Sequence, residues 1–301
     1  MAKYITAQME RTNRMMVNSK KKDYSFWRDA WKRMKRNKTG MFGMYIILAL
    51  ILVAIFAKVI APYNATDVNV LNAYRTPCRE HLFGTDELGR DILSRCIAAA
   101  QISLPMGILG AIASVFLGGV LGLIAAFFMG RTDQAIMRVM DVVQAIPATL
   151  MAITVVATIG TGIPQLVLAI ALSALPLFAK TVRSAVLTVR DSEYIEASRT
   201  IGAGNARLMI RHILPNCMGH MIIFIVSSVS GSIMLISMMS YIGLGILPPT
   251  PEWGSLLAAG KTYIQSFPHM IIFPGIMIMI TVFAFNLFGD GVRDALDPKL
   301  K

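Results

Sequence analysis

Six long apolar runs separate the polar segments of this chain, and they restrict its fold more than any other feature. The runs approach the ~20 residues that a helix needs to cross a bilayer. With 55% hydrophobic and 15% charged residues among 301, the chain is too apolar for an ordinary soluble domain. We therefore predict an all-α polytopic membrane protein with six transmembrane helices, the fourth being the shortest. The predicted spans are 41–60, 102–129, 142–159, 164–179, 221–245 and 270–288.

Lys and Arg residues are distributed unevenly between the segments that connect these runs. If the N-terminus is cytoplasmic, 23 of the 29 lie on the cytoplasmic side. Such an excess is the usual signature of cytoplasmic segments. We expect a basic cytoplasmic segment at 1–40, a first span at 41–60 and an extracytoplasmic loop at 61–101. A five-helix core at 102–288, with a cytoplasmic loop at 180–220, and a cytoplasmic tail at 289–301 complete the organisation.

The net charge of +12 does not indicate a nucleic-acid partner, because residues 1–40 alone hold 12 basic and 3 acidic side chains. Attraction to anionic membrane lipid, at about 1 kcal/mol per cation near the surface, accounts for such a segment. Trp27 and Trp31 lie four residues apart among these cations. This spacing favours an amphipathic helix on the inner leaflet.

The cysteines and histidines indicate no metal site. Cys78, Cys96 and Cys217 match neither a metal-binding nor a redox spacing, and the four histidines are scattered. Cys78 and Cys96 would lie on the same side of the membrane. Either a disulfide or two free thiols is compatible with the sequence there.

A polar segment at 191–216 interrupts the apolar runs on the expected cytoplasmic side. Asp191 or Ser192 can cap a first short helix. Glu193 and Glu196 would occupy its opening turns, where the helix dipole favours negative charge. The segment therefore predicts an ordered structure with a protein partner.

Glycine and proline set the expected limits of this structure. Gly202 can end the first helix, since glycine readily adopts the left-handed conformation found at helix C-termini. Asn205 can cap a second helix that Pro215 stops. The result is a compact knob of two short helices, with 203–205 at its exposed tip.

The residues from Glu196 to Pro215 resemble the EAA loop of membrane subunits of bacterial ABC importers, although Ser198 replaces an alanine. In that family the loop is the coupling helix that docks onto an ATPase. The resemblance implies that Glu196 anchors the knob electrostatically, Gly202 shapes its turn, and Leu214 with Pro215 seats it on the bundle. The residues assigned to ATPase coupling are Glu196, Ala197, Ser198, Gly202, Ala203, Gly204, His212, Leu214 and Pro215.

The string GTDELGRD at 84–91 is a second motif, in the expected outer loop. By chemistry alone it is interpreted as a solvated interfacial helix capped by Thr85, with its charged residues paired at helical spacing and its glycines allowing tight turns. It also closely resembles a signature of the C-type permeases of oligopeptide, dipeptide and nickel importers. Segments 241–260 and 286–298 are similar to the same subfamily. The motif residues are Gly84, Thr85, Asp86, Gly89, Arg90 and Asp91.

The resemblance covers most of the chain and implies a type I ABC importer permease in the bacterial cytoplasmic (inner) membrane. The expected partners are a homologous B-type permease subunit, two ABC ATPase subunits and an extracytoplasmic substrate-binding protein. ATP and Mg would be bound by the ATPases, so this chain is expected to hold no catalytic site and no cofactor. A string at 254–262 resembles a phosphate-binding loop, but five residues separate its glycines where the motif requires four.

The predicted spans lack ionisable residues in their interiors, and such residues usually mark proton- or ion-coupled transport. Energy from an ATPase agrees with this pattern. Gln144, Ser228 and Ser232 are candidates for lining the pathway, with helix packing as the alternative role of such small polar residues. The expected cargo is a peptide, with nickel or a metal chelate as the alternative. A membrane receptor or scaffold that transports nothing is the alternative from another functional class.

Overall fold

The computed structural model describes residues 26–296, which fold into helices joined by shorter connections. The N-terminal part contains α1 (Phe26–Arg36), α2 (Lys38–Ile55) and α3 (Ala57–Ile60), followed by the expected outer loop, which contains a 3-10 turn at Val70–Asn72. Predictions for 1–25 and 297–301, and for the side chain of Trp27, lie outside the described residues. The remaining helices are α4 (Ile92–Phe128), α5 (Gly130–Gln144), α6 (Ala148–Ile159), α7 (Ile163–Arg190), α8 (Glu193–Thr200), α9 (Asn205–Tyr241), α10 (Trp253–Gly260) and α11 (His269–Leu296).

Five of these helices, α2, α4, α7, α9 and α11, are long and apolar enough to cross a membrane. The pair α5 and α6 also passes the length and composition test but is bent by 88°, which gives up to six spans. The predicted all-α, multi-span class is confirmed.

The third predicted span differs most from the structure. The run at 142–159 is divided where α5 ends at Gln144 and α6 begins after Pro147. Proline lacks the backbone N–H that a continuing helix needs and disfavours helical backbone in the preceding residue. The fourth span, predicted to be the shortest, is the 28-residue α7, because the helix continues through polar turns as far as Arg190.

Two helix boundaries near the outer loop also differ from the apolar runs. α4 begins at Ile92, well before the apolar run at 102, because Asp91 caps it there. α2 ends at Ile55, and the short helix α3 follows after Phe56. Hydropathy records the part of a helix that lies in lipid, whereas capping determines where the helix starts.

Glycine allows the closest helix contacts in the bundle. A Cβ atom at Gly122 would lie 2.3 Å from the carbonyl oxygen of Ala179, so α4 and α7 pack through their backbones. A Cβ atom at Gly43 would lie 2.7 Å from the carbonyl oxygen of Ala284, which places α2 equally close to α11. Small residues permit this approach, and dispersion contacts then hold the helices together in lipid.

Three apolar clusters join these helices. One lies around Trp253 and connects α2, α4, α9, α10 and α11. A second, around Leu166, packs α6 and α7 against α4 and α9. The third lies where α4 ends and includes Phe127, Val186 and Ile195. It seats the polar segment at 191–216 on the bundle.

Candidate functional site

The segment at 191–216 forms the predicted knob, which begins with α8. Ser192 is the N-cap residue, and its backbone carbonyl accepts hydrogen bonds from Ile195 and Glu196. Its hydroxyl donates to the carbonyl of Val189 at 2.6 Å, so the side chain does not cap the helix. Glu193 and Glu196 lie in the first turn, as predicted, where they interact favourably with the helix dipole.

Gly202 ends α8 through a Schellman motif. Its φ is +85°, in the left-handed region that favours glycine. The N–H of Gly202 donates to the carbonyl of Arg199 at 3.0 Å, and the N–H of Ala203 donates to that of Ser198 at 3.1 Å. This pair of bonds satisfies two carbonyls that a helix end otherwise leaves unpaired. The predicted role of Gly202 in the turn is confirmed.

The second helix of the knob differs from its prediction in two respects. Gly204, not Asn205, is the N-cap residue, and Asn205 is the first helical residue. Pro215 does not stop this helix, which continues to Tyr241 as α9. Residues Leu208–Ile213 have π-helical bonding, and Pro215 follows in the next turn. In a π segment each backbone N–H bonds to a carbonyl five residues earlier instead of four. This change occurs next to Pro215, which has no N–H to donate.

Apolar side chains fix the knob to the bundle. Ile195, Leu208 and Ile213 are fully buried. They pack in one cluster with Phe127 at the end of α4 and Val186 near the end of α7. The knob therefore rests on α4 and α7 as well as on α9, which it begins.

The predicted coupling residues lie on or beside the exposed side of this knob. Glu196, Ala197, Gly202, Gly204 and Pro215 are exposed, whereas Ser198, Ala203, His212 and Leu214 are partly buried.

Two exposed apolar residues of the knob were missed by sequence reasoning. Ile201 is 86% exposed and Ile210 is 64% exposed. A helical wheel could have indicated the exposure of Ile201. Ile201 follows the buried Ile195 by six residues, which places the two side chains about 120° apart around a helix that turns about 100° per residue. One helix cannot bury both against the same surface. The knob also exposes five charged residues: Glu193, Glu196, Arg199, Arg207 and Arg211.

The GTDELGRD motif is a buried tight turn, so its interpretation as a solvated interfacial helix is wrong. Gly84 and Gly89 have φ of +76° and +70°, which confirms their predicted turns. Thr85 and Asp91 form an antiparallel bridge between them. Asp86 and Arg90 are 5% and 6% exposed. Helical spacing of charges suggested the helix, but the two left-handed glycines and the buried hydrogen bonds stabilise a turn.

Asp86 is the centre of this turn. One carboxylate oxygen accepts from the backbone N–H groups of Leu88 and Arg90 at 2.9 and 3.0 Å. The other accepts from Arg90 Nε at 2.7 Å and from an Arg95 guanidinium nitrogen at 2.8 Å. Buried charges of this kind are tolerated when paired and fully hydrogen-bonded.

The helix cap in this region is Asp91, and the prediction that Thr85 caps a helix is wrong. Asp91 accepts from the N–H and the hydroxyl of Ser94, both at 2.7 Å, and so caps α4. His81 Nδ1 lies 3.0 Å from its other oxygen. The Thr85 hydroxyl instead accepts from the N–H of Arg75 at 2.8 Å and donates to the carbonyl of Asn72.

Aromatic contacts attach the outer loop to the start of α11. Phe83 stacks on Phe273 with ring centroids 4.0 Å apart, and Tyr74 stacks on Phe267 at 4.8 Å. The hydrogen bond between Tyr74 and Tyr263 raises the pKa of Tyr74 to about 12, so Tyr74 remains a neutral hydrogen-bonding group. The loop is thereby held rigidly at the end of the bundle opposite the knob.

The pathway candidates do not form a cluster linked by hydrogen bonds. Gln144 is exposed at the end of α5, and its side-chain carbonyl accepts from the Lys180 ammonium group, which also pairs with Asp141 at 2.7 Å. The Ser228 hydroxyl donates to the carbonyl of Ile225, one turn earlier in α9. Ser232 is 6% exposed, inside the subunit. Their predicted role in the pathway stays a prediction.

The two cysteines of the outer region are free thiols. Cys78 is exposed on the loop, whereas Cys96 is fully buried in α4. The structure thus corresponds to the free-thiol alternative.

Comparison with known proteins identifies a family for most of the chain. Residues 118–301 match the family described as "Binding-protein-dependent transport system inner membrane component". Residues 25–77 match "N-terminal TM domain of oligopeptide transport permease C". The glutathione transport system permease protein GsiD of Escherichia coli O157:H7 is 42% identical over 276 residues, 91% of each chain. GsiD of Shigella flexneri serotype 5b is 43% identical over 276 residues, also 91% of each.

A solved structure shares the fold. An inward-facing structure of the MetNI methionine ABC transporter aligns with a TM-score of 0.55 and 16% identity, covering 67% of this chain and 96% of the other. The resemblance inferred from the sequence motifs is confirmed by these matches. The chain therefore belongs to the binding-protein-dependent inner membrane components, as an ABC importer permease subunit of the oligopeptide and dipeptide permease family.

Proposed function

We propose that this chain forms half of the translocation pathway of a peptide importer and receives the ATPase movement through its knob. The N-terminus and the knob lie in the cytoplasm, and the GTDELGRD turn lies outside. The partners are a homologous B-type permease, two ABC ATPases that bind ATP and Mg, an extracytoplasmic substrate-binding protein and membrane lipid. The similar proteins are named glutathione permeases, and glutathione is itself a peptide, which supports a peptide cargo.

The observation that carries the coupling role is the way the knob is built. The exposed surface of the knob carries both apolar and charged side chains around Ile201. Its base is buried by Ile195 and Leu208. Its second half continues directly into the 37-residue α9. A force on the tip would therefore reach a transmembrane helix with no flexible linker between them.

In this proposal the knob acts as a rigid lever between the ATPase and the spans. We test the lever at its turn with two matched variants. Gly202→Val places a β-branched residue at a φ of +85°, which costs about 1–2 kcal/mol and lowers the population of the native turn by about 5–30-fold. Gly202→Asn adds a side chain of similar size at the same position, but asparagine is one of the few residues that adopt the left-handed conformation routinely. An added Cβ at Gly202 meets no atom within 4 Å.

Both variants are purified in the complete complex, and peptide uptake per ATP hydrolysed is measured in proteoliposomes. We expect Gly202→Val to assemble and hydrolyse ATP but to lose most uptake, and Gly202→Asn to retain most of it. Wild-type uptake by Gly202→Val would refute the lever. Equal losses in both variants would mean that added bulk matters rather than the turn.

Partners and cargo are tested before the variants. A mild-detergent pull-down from the native host should recover a second permease and ATPases, and recovery of no ATPase from a folded preparation would contradict the proposal. The co-purified binding protein is then titrated with peptides and with Ni²⁺. Stimulation of ATP hydrolysis by the loaded binding protein separates a transporter from a receptor, and binding of Ni²⁺ alone would assign the cargo to metal.

A further inference from the structure

Two cavities meet on the side of the bundle where α2 and α3 lie against α4. The first is a cleft of about 550 Å³ between α2 and α4. Apart from Gln101 its lining is apolar and includes Ile51, Ile55, Ile108 and Leu109. The second, called the polar cavity, has about 590 Å³ and lies beyond the end of α2. Lys58, Asn64 and Thr66 give part of its lining a polar character, beside alanine and proline residues. Both volumes are in the range of small-ligand sites.

Gln101 is the residue that the two cavities share. Its side-chain amide donates to the carbonyl of Ala54 at 2.9 Å and so spans the gap between α4 and α2. Pro105, one turn later in α4, has no N–H to donate to the Gln101 carbonyl. The Gln101 carbonyl therefore lacks the donor that a regular helix would supply.

Lys58 gives the polar cavity its charge. The side chain is exposed on α3, one turn beyond the end of the membrane helix α2. Within residues 26–296 it takes part in no ion pair. Its ammonium group offers three donors to an anion at the level of the membrane interface.

We propose that the cleft and the polar cavity together bind one anionic glycerophospholipid. An acyl chain lies along Ile51, Ile55 and Ile108, the glycerol region passes Gln101, and the phosphate accepts hydrogen bonds from Lys58. The continuous change from an apolar to a cationic lining matches a lipid. Helix–helix interfaces in membranes are enriched in small residues, whereas this cleft is lined mainly by isoleucine and leucine side chains. The site is independent of the cargo and of the lever.

The proposal is tested by native mass spectrometry of the complete importer, titrated with phosphatidylglycerol. Lys58→Gln removes the cation and should weaken binding about fivefold, the factor that about 1 kcal/mol per cation represents near an anionic surface. Ala54→Phe fills the cleft and should abolish retention of the lipid. Lys261→Gln is the matched control, because Lys261 is an exposed lysine that contacts Tyr241 and lines neither cavity. It should bind like wild type.

Each alternative has its own result. Equal phosphatidylglycerol affinity for Lys58→Gln, Lys261→Gln and wild type would overturn the headgroup site. If Ala54→Phe binds phosphatidylglycerol as well as wild type does, and inorganic phosphate displaces the lipid equally from both proteins, the site binds free phosphate and the lipid assignment is wrong. Density for a helix of the partner permease in the cleft, in a structure of the complex, would likewise refute it.

Discussion

Replacing Asp86 with alanine should open the outer turn while leaving the bundle assembled. The Asp86 side chain is 7% exposed and accepts four hydrogen bonds, two of them from the guanidinium groups of Arg90 and Arg95. Those two side chains are 7% and 5% exposed. Removing one partner of a buried ion pair leaves an uncompensated charge, which typically costs about 3–5 kcal/mol.

The matched control is Glu80→Ala in the same loop. Glu80 pairs with Arg75 at 2.9 Å, much the same distance as in the Asp86 pairs, but the two side chains are 70% and 44% exposed. Exposed ion pairs contribute about 0–1 kcal/mol because water screens them. The two variants thus remove the same charge from similar geometry at different burial.

The assay is hydrogen exchange at the backbone amides of Thr85 and Ile92, which donate to the carbonyls of Arg75 and Gly84 and therefore report opening of the turn without losing their own acceptors. At about 1.4 kcal/mol per factor of ten, Asp86→Ala should lower their protection by about 100- to 4,000-fold, and Glu80→Ala by less than about fivefold. Protection in Asp86→Ala within threefold of wild type would refute the view that burial makes this network stabilising. An equal loss in Glu80→Ala would refute it as well.

Two further predictions concern helix packing and helix capping. Gly43→Leu places a side chain 2.7 Å or less from the backbone of α11. It should destabilise the subunit by at least the about 1–3 kcal/mol typical of overpacking, measured as a lower melting temperature against Gly231→Leu, whose site is open. Burial raises the pKa of Glu252, the N-cap of α10, above its ordinary 4.5. The carboxyl group therefore binds its proton more tightly in the folded state than in the unfolded state. As the pH rises above 4.5, the protection of the α10 amides against hydrogen exchange should fall. Glu252→Gln should abolish this pH dependence.

The fold class followed from the sequence because a bilayer admits few structures. A lipid-exposed backbone must satisfy its hydrogen bonds internally, so runs of this length predict helices directly. Pro147 in the sequence indicates a possible kink at the break between α5 and α6, but neither the proline nor the apolar run reveals that the two helices meet at 88°. The polar turns of α7 up to Arg190 were missed for a related reason, because hydropathy does not record a helix that continues outside lipid.

The knob was predictable where its geometry is local. Gly202 adopts the predicted left-handed turn because that conformation depends on one residue and its neighbours. Asn205 was assigned as a cap on side-chain preference, but Gly204 takes that position once the Schellman motif has fixed the preceding backbone. The outer motif was misinterpreted because its decisive partner, Arg95, lies nine residues from Asp86 and outside any helical spacing.

The seat of the knob indicates how a short motif could act on a whole bundle. α9 alone would transmit movement through Leu208–Ile213, where π-helical bonding and the nearby Pro215 weaken the regular ladder. The buried contacts of Ile195 and Leu208 bypass this point, since they join the knob to Phe127 of α4 and Val186 of α7. α4 and α7 are themselves locked by the Gly122 contact. If the knob docks as proposed, the ATPase would therefore displace α4, α7 and α9 together, and a softer hydrogen-bond pattern in α9 would not uncouple them.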